Sequence, residues 1–155
     1  MIFRKQLIRH DPENGKYGDC FRTALACLLN REPETVPHFF DSPVVVDDGE
    51  GHAKFNEWLG EEACLRMVSV AFDSEPSQVR CWAEACNPGV YWLMGCQSRI
   101  ANHIVVCCGG EVVCDPSLTP TPVDELKRCT DGYTWYTVLV PWSQVRLGGE
   151  HEKHG

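Results

Sequence analysis

The sequence predicts an α+β fold, and two observations carry that prediction. In the first half, apolar residues recur at helical spacing, as Phe21, Ala24, Leu25 and Leu28 do. In the second half the runs GVYWLMG, NHIVVCC, EVVCDP and YTWYTVLVPW are rich in β-formers, with Gly109–Gly110 as a hairpin turn between the second and third. Helices first and antiparallel strands after them place the sheet in the C-terminal half.

Taken in order, residues 19–29 read as a mostly buried helix. NREPETVPHFF stops it and reads as a loop with room for one helical turn, and DSPVVVDDGEGH is a second irregular stretch punctuated by Pro and Gly. AKFNEWLGEEAC is a shorter helix that sends Phe55, Trp58 and Leu59 inward. CLRMVSVAF alternates as a strand does. EPSQVRCWAEAC, with its early proline and its stripe of Val79, Trp82, Ala83 and Cys86, is a third helix. Asp131–Gly132 reads as the turn into the last strand. Asp47, Asp48 and Glu50 fall short of the ligand count of a calcium loop and read as a solvated turn. No linker divides the chain, so residues 1–147 are expected to be one domain and 148–155 a polar tail.

Composition narrows the function. A chain of 155 residues can bury about two thirds of its unfolded surface without staples. Its 22 acidic against 14 basic residues give a net charge of −8, which disfavours a nucleic-acid or membrane-surface partner. No apolar run approaches the roughly 20 residues of a membrane span. The N-terminus MIFRKQLIRHDPENG lacks the apolar core of a signal peptide, so a cytoplasmic location is expected. Among ten cysteines there is no Cys-x-x-Cys pair, and the adjacent Cys107 and Cys108 point to opposite faces of a strand. Most, Cys27 and Cys96 included, sit in apolar stretches and read as small buried hydrophobes. Neither a disulfide, a structural metal nor a cofactor is expected.

One cysteine stands apart. Cys20 lies at the seam between the turn NGKYGD and the helix that follows, where unpaired N–H groups and the helix dipole favour thiolate over thiol. Gly18 allows a close approach at the helix start. The plainer account makes Cys20 one more buried thiol and Asp19 a helix cap. A nucleophilic thiolate needs a base, and of six histidines only His103 stands inside a β-run; the plainer account there is a histidine at a strand's wet end. The base needs an acceptor to hold its tautomer. Carrying the register back from the Gly109–Gly110 turn sets Asp115 opposite Ile104, beside His103, although Asp-Pro also begins ordinary turns. The backbone N–H of Cys20 and the side-chain amide of Asn14 are candidate oxyanion donors, with a plain Asn-Gly turn as the alternative for Asn14. His38 in VPHFF reads as a packing residue near the cleft.

Cysteine at a helix start, histidine on a strand and a carboxylate on the next strand come in a fixed chain order. In this the chain resembles the papain-like cysteine peptidase superfamily, including the double-glycine-leader peptidases of bacterial exporters. Those enzymes carry an amide residue six before the nucleophile; NHIVVCCGG looks like their histidine strand and VVCDPS like the return that carries the third triad member. The resemblance runs from about residue 11 to 140. The whole chain also resembles small phage-encoded proteins sharing HDPENG.YGDC and NH.VVC.GGEVV.DPS. It implies a papain-like fold, with the nucleophile-bearing helix packed on a C-terminal antiparallel sheet, and a triad of Cys20, His103 and Asp115. The family's usual amide is glutamine; here Asn14 is one methylene shorter. The tryptophan-rich substrate segments of papain homologues are absent, so no peptidase specificity carries over. The resemblance implies a thiol hydrolase acting on an amide, peptide or isopeptide bond in a protein or peptide-like substrate. Acyl transfer to an amine at the same site, or a non-catalytic binding or inhibitory scaffold, are the alternatives.

Overall fold

The computed structural model describes residues 1–41 and 49–142. Among the described residues three α-helices, α1 (Cys20–Leu29), α2 (Glu50–Ala63) and α3 (Pro76–Cys86), accompany one five-stranded antiparallel sheet. Its strands are β1 (Leu65–Phe72), β2 (Tyr91–Gln97), β3 (Asn102–Cys108), β4 (Glu111–Cys114) and β5 (Thr134–Pro141), in spatial order β1-β5-β2-β3-β4. This is an α+β molecule. Among the described residues no helix is long and apolar enough to cross a membrane.

Both faces of the sheet are covered at β2 and β3, which is why these strands are near-continuous apolar runs rather than alternating ones. Leu93 of β2 and Val106 of β3 pack with Ala24 and Cys27 of α1. Their neighbours Trp92, Met94, Val105 and Cys107 pack with Val79 and Ala83 of α3 on the other side. A third cluster joins Leu25 and Ala26 of α1 to Phe55 and Leu59 of α2 and Met67 of β1. On α1 the residues Cys20, Ala24 and Cys27 recur at helical spacing, so the thiol lies on the stripe that meets the sheet.

Several expectations shift. The sheet is not confined to the C-terminal half: β1 pairs along its whole length with β5, from Leu65 opposite Pro141 to Phe72 opposite Thr134. Helix α2 begins at Glu50, three residues before the apolar periodicity shows, with Glu50 paired to Lys54 one turn on. In α2, Phe55 and Leu59 are buried while Trp58 packs at the margin with Arg31 over its ring. In α3 only Val79 and Ala83 of the expected stripe are buried; Trp82 is exposed at its outer edge and meets Phe72 and Tyr136 edge-on or tilted, and Cys86 is exposed. Buried hydrophobe fits Cys27, Cys96, Cys107 and Cys114, whereas Cys64, Cys81 and Cys86 are exposed because they fall outside the stripes that pack. The expected acidic turn at Asp47 and Asp48 and the polar tail lie outside the described residues.

Candidate active site

The site is assembled at the end of the sheet that the N-terminus of α1 reaches. Cys20 is the first residue of α1 and is half-buried. The flanking Asp19 does not cap the helix with its side chain. Instead its fully buried carboxylate accepts the backbone N–H groups of Ile8 (2.8 Å) and Leu7 (3.3 Å) and the Arg22 guanidinium (2.9 Å). A charge so deep in the protein persists because three donors surround it. Gly18 does permit a close approach, and the group approached is His10. A Cβ at residue 18 would stand 3.0 Å from the Cβ of His10, whose Nδ1 accepts the Gly18 N–H. His38 donates from Nε2 to the Tyr17 carbonyl at 3.0 Å, which ties the VPHFF loop to the segment before the thiol.

His103 is the second residue of β3, buried and paired across the ladder with Cys96. Asp115 follows the last residue of β4, and its Oδ1 lies 2.7 Å from His103 Nε2. The register that joins them differs from the one read off the turn. Cys108 pairs with Glu111 and Cys107 with Val112, but the next pair is Val106 with Cys114. Val113 is therefore an extra residue, a β-bulge. Were Val113 instead paired with Val106 in a regular ladder, Asp115 would fall opposite Ile104, on the face away from His103. With the bulge, continuation of the ladder sets Asp115 opposite Val105, on the same face as His103 and two residues along.

The electrostatics follow from these contacts. Burial raises the Asp115 carboxyl, but the hydrogen bond and charge of His103, the Ser117 N–H at 2.8 Å and the Lys5 ammonium together hold it below the usual carboxylate range. An ionised carboxylate only accepts, so Nε2 of His103 carries a proton and Nδ1 is the ring nitrogen left for the thiol. Burial pushes the His103 imidazole down; contacts with Asp115 and then Cys20, together with their charges, outweigh it and raise its pKa to about 9. Cys20 acts on the ring in the same direction as Asp115, whose bond to it is 2.7 Å.

Asn14 is not joined to this line. It lies exposed in a tight loop closed by backbone hydrogen bonds between Asp11 and Lys16, with Gly15 at φ 69°, and its amide donates to Asp11 Oδ2 at 2.7 Å. The N-terminal segment, in contrast, contributes what the sequence did not signal. Lys5 Nζ donates to the carbonyls of Asp115 (2.8 Å) and Ser117 (3.0 Å), and Gln6 N–H to that of Pro116 (2.8 Å). With the Leu7 and Ile8 bonds to Asp19, four consecutive residues strap the Asp115 loop to the N-terminal end of α1. Such long-range backbone pairing leaves no local pattern to read. On the far side, Asn102 exchanges two hydrogen bonds with Thr130, fixing the residue before His103. Among the described residues no group of three or more His, Cys, Asp or Glu side chains is placed to hold a metal.

Compared with models of protein families, with curated proteins and with solved structures, the chain matches none.

Proposed function

We propose that the protein is a thiol hydrolase of papain-like design, with Cys20 as nucleophile, His103 as general base and acid, and Asp115 as the residue that orients the ring. The observation that supports this reading most is the His103 Nε2–Asp115 bond of 2.7 Å, which leaves Nδ1 to the half-buried thiol at the start of α1. The helix start, a strand and the turn beyond the next strand supply the nucleophile, the base and the carboxylate in the order that acyl transfer requires, and the raised His103 pKa, to which both Asp115 and Cys20 contribute, supports the reading.

In this mechanism Cys20 Sγ attacks an amide carbonyl and its proton resides on His103 Nδ1. The oxyanion forms against the backbone N–H of Cys20, which as the first helical N–H has no intrahelical acceptor. The imidazolium then protonates the leaving amine, leaving a thioester. Water, deprotonated by His103, attacks the thioester and returns the free thiol. Asn14 enters as a second oxyanion donor only if its amide leaves Asp11 on substrate binding.

Alkylation by iodoacetamide, mapped by peptide, tests the proposal. Because Cys64, Cys81 and Cys86 are exposed, the criterion is rate, and the three are first replaced by serine. Cys20 is expected to react fastest of those remaining. His103→Ala is expected to slow it about tenfold or more, and Asp115→Asn to act in the same direction more weakly. A Cys20 rate indifferent to His103→Ala removes the mechanism and leaves the binding-scaffold reading.

A further inference from the structure

Behind the triad lies a second pair of reactive groups. Cys27 of α1 and Cys114 at the end of β4 are buried with their sulfurs 3.7 Å apart, although 87 residues separate them in the chain. Cys27 Sγ also accepts the backbone N–H of Arg4 at 3.2 Å. Either sulfur can hold the proton between them: Cys27 Sγ accepts from Arg4 N–H and from the Cys114 S–H when deprotonated, and its own S–H faces the Arg4 carbonyl at 3.9 Å or the Cys114 sulfur when it is not. The bond from Cys114 brings the Cys27 thiol down to about 7 against the effect of burial, and giving that bond pushes Cys114 up.

Cys114 is the member of the pair that small molecules can reach, Cys27 being fully buried behind it. Cys114 lines a cavity of about 270 Å³ together with Phe3, Arg4, Lys5, Val113 and Asp115. That volume admits molecules of the size of water and hydrogen peroxide. Closing the pair to a disulfide asks the sulfurs to approach by roughly 1.7 Å, a shift within reach of side-chain rotation and small movement of α1 against β4.

We propose that Cys27 and Cys114 form a redox-active dithiol, oxidised by a hydroperoxide to a disulfide that ties the nucleophile helix to the strand leading into Asp115. Cys114, at the cavity, attacks one peroxide oxygen as its shared proton passes to Cys27; an S–O bond forms, the O–O bond breaks, and the hydroxide released takes up a proton from solvent to become water. Cys27 sulfur then attacks the resulting sulfenic sulfur of Cys114. The S–S bond forms, the S–O bond breaks, and the departing hydroxide leaves as water with the Cys27 proton. Two thiols and one hydrogen peroxide give one disulfide and two waters. A dithiol reductant reverses the change.

The test uses the full chain carrying Cys20→Ser, so that its outcome is independent of the proposed triad. After treatment with hydrogen peroxide, free thiols are blocked with iodoacetamide and the chain is digested without reduction. The expected product is a peptide pair joining Cys27 to Cys114, lost on treatment with dithiothreitol, with the intact chain lighter by two hydrogens. The oxidised chain is also expected to melt at a higher temperature than the reduced one, since a crosslink over so long a loop restricts the unfolded state. Cys27→Ser should abolish the crosslinked pair; should that variant fail to fold, the mapping in the Cys20→Ser chain still decides. Recovery of Cys27 and Cys114 as alkylated thiols, as sulfinic or sulfonic acids, or in crosslinks to other cysteines overturns the proposal.

Discussion

At the scale of single residues, the state of His103 is what the site depends on. Its imidazole is buried, and burial alone would leave it neutral at pH 7; Asp115, bonded to Nε2, and Cys20 reverse that. The folded-state pKa of about 9 lies above the unfolded value of about 6.5. The sign follows: protonated His103 contributes stability that is fully present below about pH 6.5 and is lost as pH rises through about 9. Titration of the His103 ring by NMR is expected to show a midpoint near 9, falling in Asp115→Asn and falling in Cys20→Ser. A midpoint near 6.5 that neither substitution moves would mean that the three groups do not interact in solution.

At the scale of elements, the β-bulge explains both what the sequence revealed and what it hid. Helix α1 was legible from its 3.6-residue apolar periodicity, and strands β2 to β5 from runs of β-forming residues bounded by turn signals. Cys20, His103 and Asp115 were legible because each sits where a regular element begins or ends. The relation between the last two was not. The turn at Gly109–Gly110 fixes the first two pairs of the hairpin, but an extra residue two steps on leaves no mark in the sequence of a strand as apolar as EVVC. Its effect is to send Cys114 toward α1 and Asp115 toward His103. Two length changes separate these roles. Deleting Val113 keeps Cys114 opposite Val106, so His103 is expected to keep its titration near 9 despite some loss of apolar packing. Inserting one alanine between Cys114 and Asp115 turns the carboxylate to the other face, and the midpoint is expected to fall toward 6.5. The same NMR titration of the two variants checks this; equal midpoints would dissociate the pairing from the register.

At the scale of the whole molecule, the site is held from outside the sheet by the chain's own N-terminus. Residues 4–8 belong to no helix or strand, yet they bond to Cys27, to the carbonyls around Asp115 and to the buried carboxylate of Asp19. Without this strap the Asp19 charge would retain Arg22 alone and stand under-satisfied against the first turn of α1, an arrangement that costs several kcal/mol when the group is buried. The nucleophile end of the helix and the acid loop would then be positioned independently of each other. Native-state hydrogen exchange should therefore find the Gln6 and Ile8 amides protected, because their acceptors are the Pro116 carbonyl and the Asp19 carboxylate. Ile8→Pro deletes one of these donors at a stroke, since proline has no N–H. It is expected to destabilise the chain by about 1–3 kcal/mol in urea unfolding and to lower the rate of Cys20 alkylation, while amides of β1 and β5 at the far edge of the sheet keep their relative order of protection. Were Ile8→Pro to leave both stability and the Cys20 rate unchanged, the strap would be packing material and the sheet alone would position the triad.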